Sequence, residues 1–88
     1  MTTSEPRPIR AEGVEAHEVD DGLVVYHAAT DRVHYLNQTA AVVFELCTGD
    51  HTEREIEGLV ADAWGLTEPP HAEVQACLAQ LRTEGVVI

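Results

Sequence analysis

Residues 33–60, VHYLNQTAAVVFELCTGDHTEREIEGLV, contain three changes of predicted secondary structure within one short stretch. The β-branched and aromatic residues at its start indicate a strand, which ends at Asn37, a residue type that often caps helices. The apolar residues that follow predict a first helix through Ala40, Val43, Phe44 and Cys47. Gly49 supplies the left-handed conformation with which many helices end. Strand, helix and tight turn therefore follow one another directly.

A second and a third helix follow this turn. Thr52 and Glu55 have the spacing of a capping box, which marks the start of the second helix. Its apolar residues recur at helical spacing and form a stripe that we expect to be buried: Ile56, Leu59, Val60, Ala63 and Trp64. The third helix begins near Pro69-Pro70 and stops before the closing VVI, which we expect to pair with the sheet or pack on it. The predicted buried face of this helix contains Val74, Cys77, Leu78 and Leu81.

Two predicted strands precede the opening stretch. VEAHEV and LVVYH flank Asp20-Asp21-Gly22, and Asp-Gly between apolar runs is a strong hairpin signal. A second turn, AATDR, leads into VHYL. We therefore predict an α+β fold in which a three-stranded antiparallel sheet is followed by three helices, the outline of a winged helix-turn-helix. Residues 1–12 contain two prolines and no periodicity, so we expect a flexible tail there and a single domain over residues 13–88.

The charge of the chain argues against the partner that a winged helix usually has, which is DNA. The chain has 16 acidic residues and 5 arginines, no lysine, and a formal net charge of -11. Affinity for nucleic acid depends largely on clustered basic side chains that neutralise phosphates. The second helix, TEREIEGLVADAW, offers one arginine against several carboxylates. We therefore expect no nucleic-acid partner.

The two cysteines, Cys47 and Cys77, lie in different predicted helices on or near apolar faces. Small secreted domains that rely on disulfides usually have more cysteines, and the N-terminus lacks the apolar segment of a secretory signal. No apolar run approaches the ~20 residues needed to cross a bilayer. We therefore expect a cytoplasmic protein without a membrane partner, in which both thiols are reduced core residues.

The five histidines raise the question of a metal site. If the second turn is centred on Thr30-Asp31, His27 and His34 face each other across the hairpin, close enough to share a zinc ion. A closed site needs two further ligands, and His17 is expected on the opposite face of the sheet. A solvated histidine pair is the better interpretation, so we expect no metal and no other cofactor.

Catalytic residues are also not indicated. Cys47 and His51 could form a nucleophile and its base, but no third group that would orient the histidine is apparent. The carboxylates of EREIE are expected on a solvated helix face, and the chain has no glycine-rich phosphate loop. We predict that the protein is not an enzyme.

The third strand offers a different kind of site. A three-stranded meander cannot close on itself, so RVHYLN is an edge strand if the strands pair in chain order. A helix beside it, most plausibly the third, would create a groove in which an extended peptide adds to the sheet as a further strand. The alternative is that Tyr35 and Leu36 are only core residues and the edge stays solvated. The residues alone leave these two interpretations open.

Taken together, several motifs resemble the PqqD family, whose members are also called recognition elements of ribosomally synthesised and post-translationally modified peptides (RiPPs). The motifs are the strand hairpins, YLNQTAAVVFELCTG, TEREIEGLV and EVQACLAQLRTEGVV. The resemblance covers about Val14 to Val87. It rests on a pattern of single residues: Leu36, Asn37, Thr39, Gly49, Thr52, Ile56, Val74, Leu78, Leu81 and Gly85.

The resemblance implies a non-catalytic, winged helix-turn-helix-like protein that binds the leader peptide of a ribosomal precursor. It implies that the leader adds to the third strand beside the third helix and is presented to a separate maturation enzyme, such as a radical-SAM protein, a leader peptidase or a cyclase. The implied peptide-binding residues on the strand are Arg32, Val33, His34, Tyr35 and Leu36. Those on the helix are Val74, Cys77, Leu78, Leu81 and Arg82. The alternative function is a winged-helix transcriptional regulator or an acidic protein-protein adaptor.

Overall fold

A computed structural model describes residues 7–88 of the chain. Three strands come first: β1 (Val14–Val19), β2 (Gly22–His27) and β3 (Arg32–Asn37). Three helices follow: α1 (Gln38–Leu46), α2 (Glu53–Trp64) and α3 (His71–Thr83). The predicted α+β fold, a three-stranded antiparallel sheet followed by three helices, is confirmed. Within residues 7–88, no helix has the length and apolar character that a membrane span requires.

The sheet has the order β1-β2-β3, so β3 is an edge strand as predicted. The second hairpin differs from the expected register, because His27 lies opposite Arg32 and His34 lies opposite Val25. The prediction that the two histidines face each other is therefore wrong. The turn occupies residues 28–31, one residue earlier than expected, because the amide of Asp31 donates to the carbonyl of Ala28 (3.3 Å) and Asp31 adopts a left-handed φ of 54°.

One face of the sheet packs on the helices, and the other is exposed. The inner face contributes Leu23, Val25 and Leu36 to a core completed by the helices. The helical core residues include Val43, Phe44, Ile56, Val60, Val74, Leu78 and Leu81. On the outer face, Val33 and Tyr35 of β3 remain exposed. Since His17 pairs with Val24, it lies on the opposite face from His27, as predicted.

The described part of the N-terminal segment packs on the rest of the domain. Residues 1–6 of the predicted flexible tail lie outside the described residues. Pro8 is fully buried, and the backbone of Ile9 pairs with Thr48. Arg10 pairs with Val87, and the amide of Ile88 donates to the carbonyl of Ile9 (2.8 Å). Residues 8–10 of the predicted tail therefore contact the rest of the domain, and the C-terminal VVI pairs with this segment rather than with the three-stranded sheet.

The predicted helix starts are confirmed. The Asn37 side chain accepts a hydrogen bond from the amide of Ala40 (2.9 Å), which caps α1. Thr52 and Glu55 form a reciprocal capping box at the start of α2, with hydrogen bonds of 2.8 and 3.2 Å. These caps satisfy amides that have no partner inside their helices. They fix the exit of the chain from β3 into α1 and the turn into α2.

Helix α2 buries a different stripe from the predicted one. Ile56 and Val60 are buried as expected, whereas Trp64 is 44% exposed at the end of the helix. Glu57 was expected in solvent but is buried, with its carboxylate 2.8 Å from Nδ1 of His71 and 3.0 Å from Nε2 of Gln75. This carboxylate can be buried because α3 supplies polar partners for it. The buried stripe of α2 is therefore shifted from the predicted one, toward the side of the helix that faces α3.

Candidate functional site

A groove of about 490 Å³ lies between the end of β3, the start of α1 and one face of α3. Ligand pockets in proteins commonly fall between roughly 300 and 1,000 Å³, so the groove is large enough to receive several side chains. The lining residues from β3 and α1 are Tyr35, Leu36, Asn37, Thr39 and Ala40. Those from α3 are Glu73, Ala76, Cys77, Gln80, Leu81 and Glu84 just beyond its end.

Helix α3 lies beside β3 without covering its edge. No Cα atom of β3 comes within 8 Å of a Cα atom of α3, and both elements lie wholly within the described residues. Neighbouring strands in a sheet are only about 4.8 Å apart. The backbone of α3 therefore does not occupy the position that a further strand would take beside β3.

The backbone of β3 presents unpaired groups to this space. Successive residues of a central strand direct their N–H and C=O groups alternately to its two neighbours. The amide of Ala28 donates to the carbonyl of Gly13 on the β1 side (3.0 Å), so residues 23, 25 and 27 of β2 face β3. Their partners are residues 32, 34 and 36. The backbone N–H and C=O groups of Val33 and Tyr35 consequently point away from the sheet. An added strand could form hydrogen bonds with them there.

Four of the ten sequence-predicted site residues line the groove. Leu36 and Leu81 are buried and form its floor, while Tyr35 is exposed and Cys77 half-buried on its walls. Val33 projects from the outer face of the sheet with 65% exposure. The structure thus brings the end of β3 and the middle of α3 together.

The remaining predicted residues lie elsewhere. Val74 and Leu78 are fully buried in the core, so they support the groove from behind. Arg32 is exposed at the start of β3. His34 faces inward, with its Nδ1 atom 3.5 Å from the Glu84 carboxylate. Arg82 points to α2, where it pairs with Glu53 (2.8 Å).

Four of the six residues of the helical wall were not predicted from the sequence. Glu73, Ala76, Gln80 and Glu84 belong to a face of α3 that adjoins the buried stripe. Their spacing of three and four residues is that of one helix face, and this spacing was visible in the sequence. This face combines an alanine with acidic and amide side chains, so it lacks the apolar periodicity that indicates a buried helix face. Thr39 and Ala40 were missed because they lie on α1, whose approach to α3 depends on tertiary packing.

The pair between Glu53 and Arg82 joins α2 to α3 away from the groove. The hydrogen bond from Arg82 holds the pKa of Glu53 below its ordinary value of 4.5, although partial burial opposes this effect. A carboxylate with a lowered pKa in the folded state stabilises the protein fully above its unfolded pKa. That contribution is lost as the pH falls through the lowered pKa of the folded state.

We expect the Glu53→Gln variant to lose less stability on acidification than the wild type. Because both side chains are partly exposed, the pair should contribute only ~0.5–1 kcal/mol, and this contribution is lost as the pH falls below about 4.5. Urea unfolding at a series of pH values measures the difference. Glu18→Gln, which removes an exposed carboxylate on β1, is the charge-matched control. If the free energy of unfolding of Glu53→Gln changes with pH in the same way as that of the wild type, the ion pair with Arg82 does not stabilise the protein.

The two cysteines differ in their environment. Cys47 is fully buried, donates a hydrogen bond through its thiol to the carbonyl of Val43 (3.1 Å), and has a pKa raised by burial to about 11. Cys77 lines the groove, and burial together with the charge of Glu73 also raises the pKa of its thiol. Neither thiol is activated as a nucleophile, because activation requires a lowered pKa.

We expect a thiol reagent of small size to modify Cys77 much faster than Cys47 in the folded protein. The reason is access, since Cys47 requires an opening of the core and Cys77 does not. Peptide mass spectrometry after timed labelling gives both rates, and labelling in denaturant provides the reference in which the rates converge. Equal rates under native conditions would show that the groove does not expose Cys77.

Within residues 7–88, no group of three or more histidine, cysteine, aspartate or glutamate side chains is arranged to hold a metal ion. His27 and His34 are each partly or fully buried and lie on the inner face of the sheet. They contribute to the packing under β3 rather than to a solvated pair.

Comparison with known proteins gives one result. No curated protein and no solved structure matches the chain. The family model described as coenzyme PQQ synthesis protein D (PqqD) matches residues 22–87, which include β2, β3 and all three helices. The match contains both walls of the groove and covers well over half of the 88 residues. The chain belongs to the PqqD family, and the match supports its identification as a PqqD-like RiPP recognition element.

Proposed function

We propose that this protein binds the leader peptide of a ribosomally synthesised precursor as an added strand on β3 and presents it to a separate maturation enzyme. The observation that carries the proposal is the open edge of β3 beside the groove. Val33 and Tyr35 direct backbone groups into a space that α3 leaves free. Strand addition uses such groups for affinity and neighbouring pockets for specificity.

The composition of the groove supports a peptide rather than a small charged substrate. Its floor is apolar, formed by Leu36 and Leu81, and Cys77 and Tyr35 form parts of its walls. An extended chain on β3 directs every second side chain toward this surface. The precursor leader and its maturation enzyme are therefore the proposed partners, and a radical-SAM protein, leader peptidase or cyclase fits the second role.

The protein itself is proposed to be non-catalytic and to act in the cytoplasm without a cofactor. The buried thiol of Cys47, with its raised pKa, cannot serve as a nucleophile near neutral pH. Membership in a family of biosynthetic accessory proteins supports the same conclusion. The net charge of -11 makes nucleic acid an unsuitable alternative partner.

The proposal is tested by selecting peptides from a random display library of about a dozen residues against the purified protein. Peptides that become enriched are synthesised, and their binding site is mapped by amide chemical shifts. We expect shifts along residues 32–36 and on the face of α3 that contains Ala76, Cys77 and Gln80. Trp64 lines a different cavity, at the β1–β2 hairpin, and its fluorescence should change little.

Shifts that map to α2 or to the exposed face of the sheet would contradict the proposal. A selection that enriches no peptide above a column without protein would contradict it as well. Affinity in the micromolar range or tighter is expected, because ordering a flexible peptide offsets part of the contact energy.

A further inference from the structure

We infer that the groove selects an extended peptide in which two apolar side chains at alternate positions are flanked on both sides by lysine or arginine. The inference rests on the proposed function and specifies the chemistry of the ligand. It comes from the distribution of charge around the groove. Among the described residues that line it, every charged side chain is a carboxylate, and these are Glu73 and Glu84.

The two carboxylates lie at opposite ends of the helical wall. Glu73 belongs to the first turn of α3, and Glu84 follows its last residue, eleven positions later. At ~1.5 Å per residue along a helix, their backbones are about 16 Å apart. The wall between them carries Ala76, Cys77, Gln80 and Leu81. The groove therefore has a mostly apolar centre and an acidic group at each end.

Glu84 is held in place at its end of the groove. Its Oε2 atom accepts a hydrogen bond from Nε2 of Gln80 (2.9 Å), and its Oε1 atom lies 3.5 Å from Nδ1 of His34. The side chain is only 27% exposed. Partial removal from water strengthens the attraction between this carboxylate and a cation placed beside it. Glu84 thus provides a fixed anionic position next to the inner face of β3.

Glu73 marks the other end of the groove and is accessible to a ligand. It is exposed in the first turn of α3, on the wall that faces β3. Its charge reaches the groove, because it raises the pKa of the Cys77 thiol one helical turn away. A cation bound at this end would therefore meet an accessible carboxylate.

The spacing of the two carboxylates sets the pattern of the ligand. Alternate residues of a strand share one face, and each residue advances the strand by ~3.3 Å. Two cations six residues apart span about 20 Å, and their long side chains can fold back to meet carboxylates about 16 Å apart. The two inward positions between them then fall over the apolar floor formed by Leu36 and Leu81. Because the pattern is symmetric, it does not depend on the direction of the peptide.

The net charge of the whole protein also favours a peptide with basic residues. A net charge of -11 attracts cationic ligands at long range and raises their association rate, particularly at low ionic strength. An acidic flanking residue would instead meet Glu73 or Glu84 at close range. The groove thus favours basic flanks and disfavours acidic ones.

Three synthetic peptides with identical apolar residues test the inference. The first is Ser-Lys-Thr-Val-Thr-Leu-Thr-Lys-Ser, and the others carry glutamine or glutamate in place of both lysines. Binding of each is measured by amide chemical shifts and by calorimetry. We expect the lysine peptide to bind roughly tenfold more tightly than the glutamate peptide at low salt, with the glutamine peptide between them. At about 1 M salt the three affinities should converge.

Protein variants assign the effect to the two carboxylates. Glu73→Gln and Glu84→Gln should each weaken the lysine peptide roughly two- to fivefold and leave the glutamine peptide nearly unchanged. Asp62→Asn, an exposed position on α2 outside the groove, is the charge-matched control and should preserve the preference. A loss of preference in the control would show that net charge, and not the groove, is responsible.

The outcomes separate this inference from the proposed function. Equal binding of the three peptides, with shifts still centred on β3, would overturn the inference and leave the proposed function standing. Failure of all three peptides to bind at millimolar concentration would also overturn it. The proposed function is then judged by the library-selected peptides alone. Selected peptides that bind at β3 but lack basic flanks would likewise overturn the inference.

Discussion

The Gly22→Ala variant is expected to lose about 3 kcal/mol or more of its free energy of unfolding. Gly22 begins β2 and lies opposite Asn37, where β3 passes into α1. A Cβ atom on Gly22 would overlap the carbonyl oxygen of Leu36, and the carbon of that carbonyl is only 2.9 Å away. Because the overlapping group is backbone, a side-chain rotation cannot relieve it. The strand end must move, and with it the start of the groove.

Gly58→Ala supplies the matched control for this change. Gly58 lies in the middle of α2, and a Cβ atom added there meets no atom within 4 Å. The substitution should stabilise the protein by up to ~1 kcal/mol, since alanine favours helix more than glycine does. Urea unfolding of both variants compares the two effects directly. A Gly22→Ala protein as stable as the wild type would mean that β2 and the β3–α1 junction are separated by more than the structure indicates.

Local features of the sequence were sufficient to predict the elements of the fold. Asn37 and Thr52 cap the two helices that they were expected to cap, because the chemistry of a cap involves residues only three positions apart. The β1–β2 hairpin forms where the Asp-Gly sequence indicated one, although its two-residue turn is Asp20-Asp21 and Gly22 already begins β2. Where the determinants are local, pattern and structure agree.

The disagreements arise where a distant segment decides the environment. Glu57 is buried because His71 and Gln75 of α3 approach it, and nothing in the sequence of α2 indicates those partners. Trp64 belongs to the apolar stripe by spacing, yet the core ends one turn earlier and leaves it exposed. Pro8 is buried because the C-terminal strand segment and the turn after α1 enclose the N-terminal segment. Helical and strand periodicity contain no information about such contacts.

The candidate site was predictable to a similar extent. The edge position of β3 follows from chain order, and the buried spacing of α3 indicates which of its residues hold the core. The choice of groove residues on α3 depends on how the helix is rotated against α1 and β3. Arg82 was expected in the groove, but its side chain extends to Glu53, because α2 offers it a carboxylate 2.8 Å away. Glu73 and Glu84 take the corresponding positions on the face toward β3.

Replacing Tyr35 by proline is expected to weaken library-selected peptides by at least about tenfold. The backbone amide of Tyr35 points away from the sheet, so proline removes a group that an added strand requires without removing a hydrogen bond between β3 and β2. The peptide then loses one main-chain hydrogen bond and keeps a desolvated carbonyl without a partner. Calorimetric titration measures the affinity, and circular dichroism establishes that the variant is folded.

Two control variants isolate the contribution of this single amide. Tyr35→Val removes the aromatic ring but keeps the N–H group, so its comparison with the proline variant separates the loss of the ring from the loss of the N–H group. Ala16→Pro introduces proline on β1, the opposite edge, at an exposed residue whose amide also points outward. It should leave peptide affinity within about twofold of the wild type, because the peptide does not pair with that edge. If the valine and proline variants bind equally well, the peptide does not pair with β3 at Tyr35. If Ala16→Pro is the damaging change, the peptide adds to β1, and the groove beside α3 is not its site.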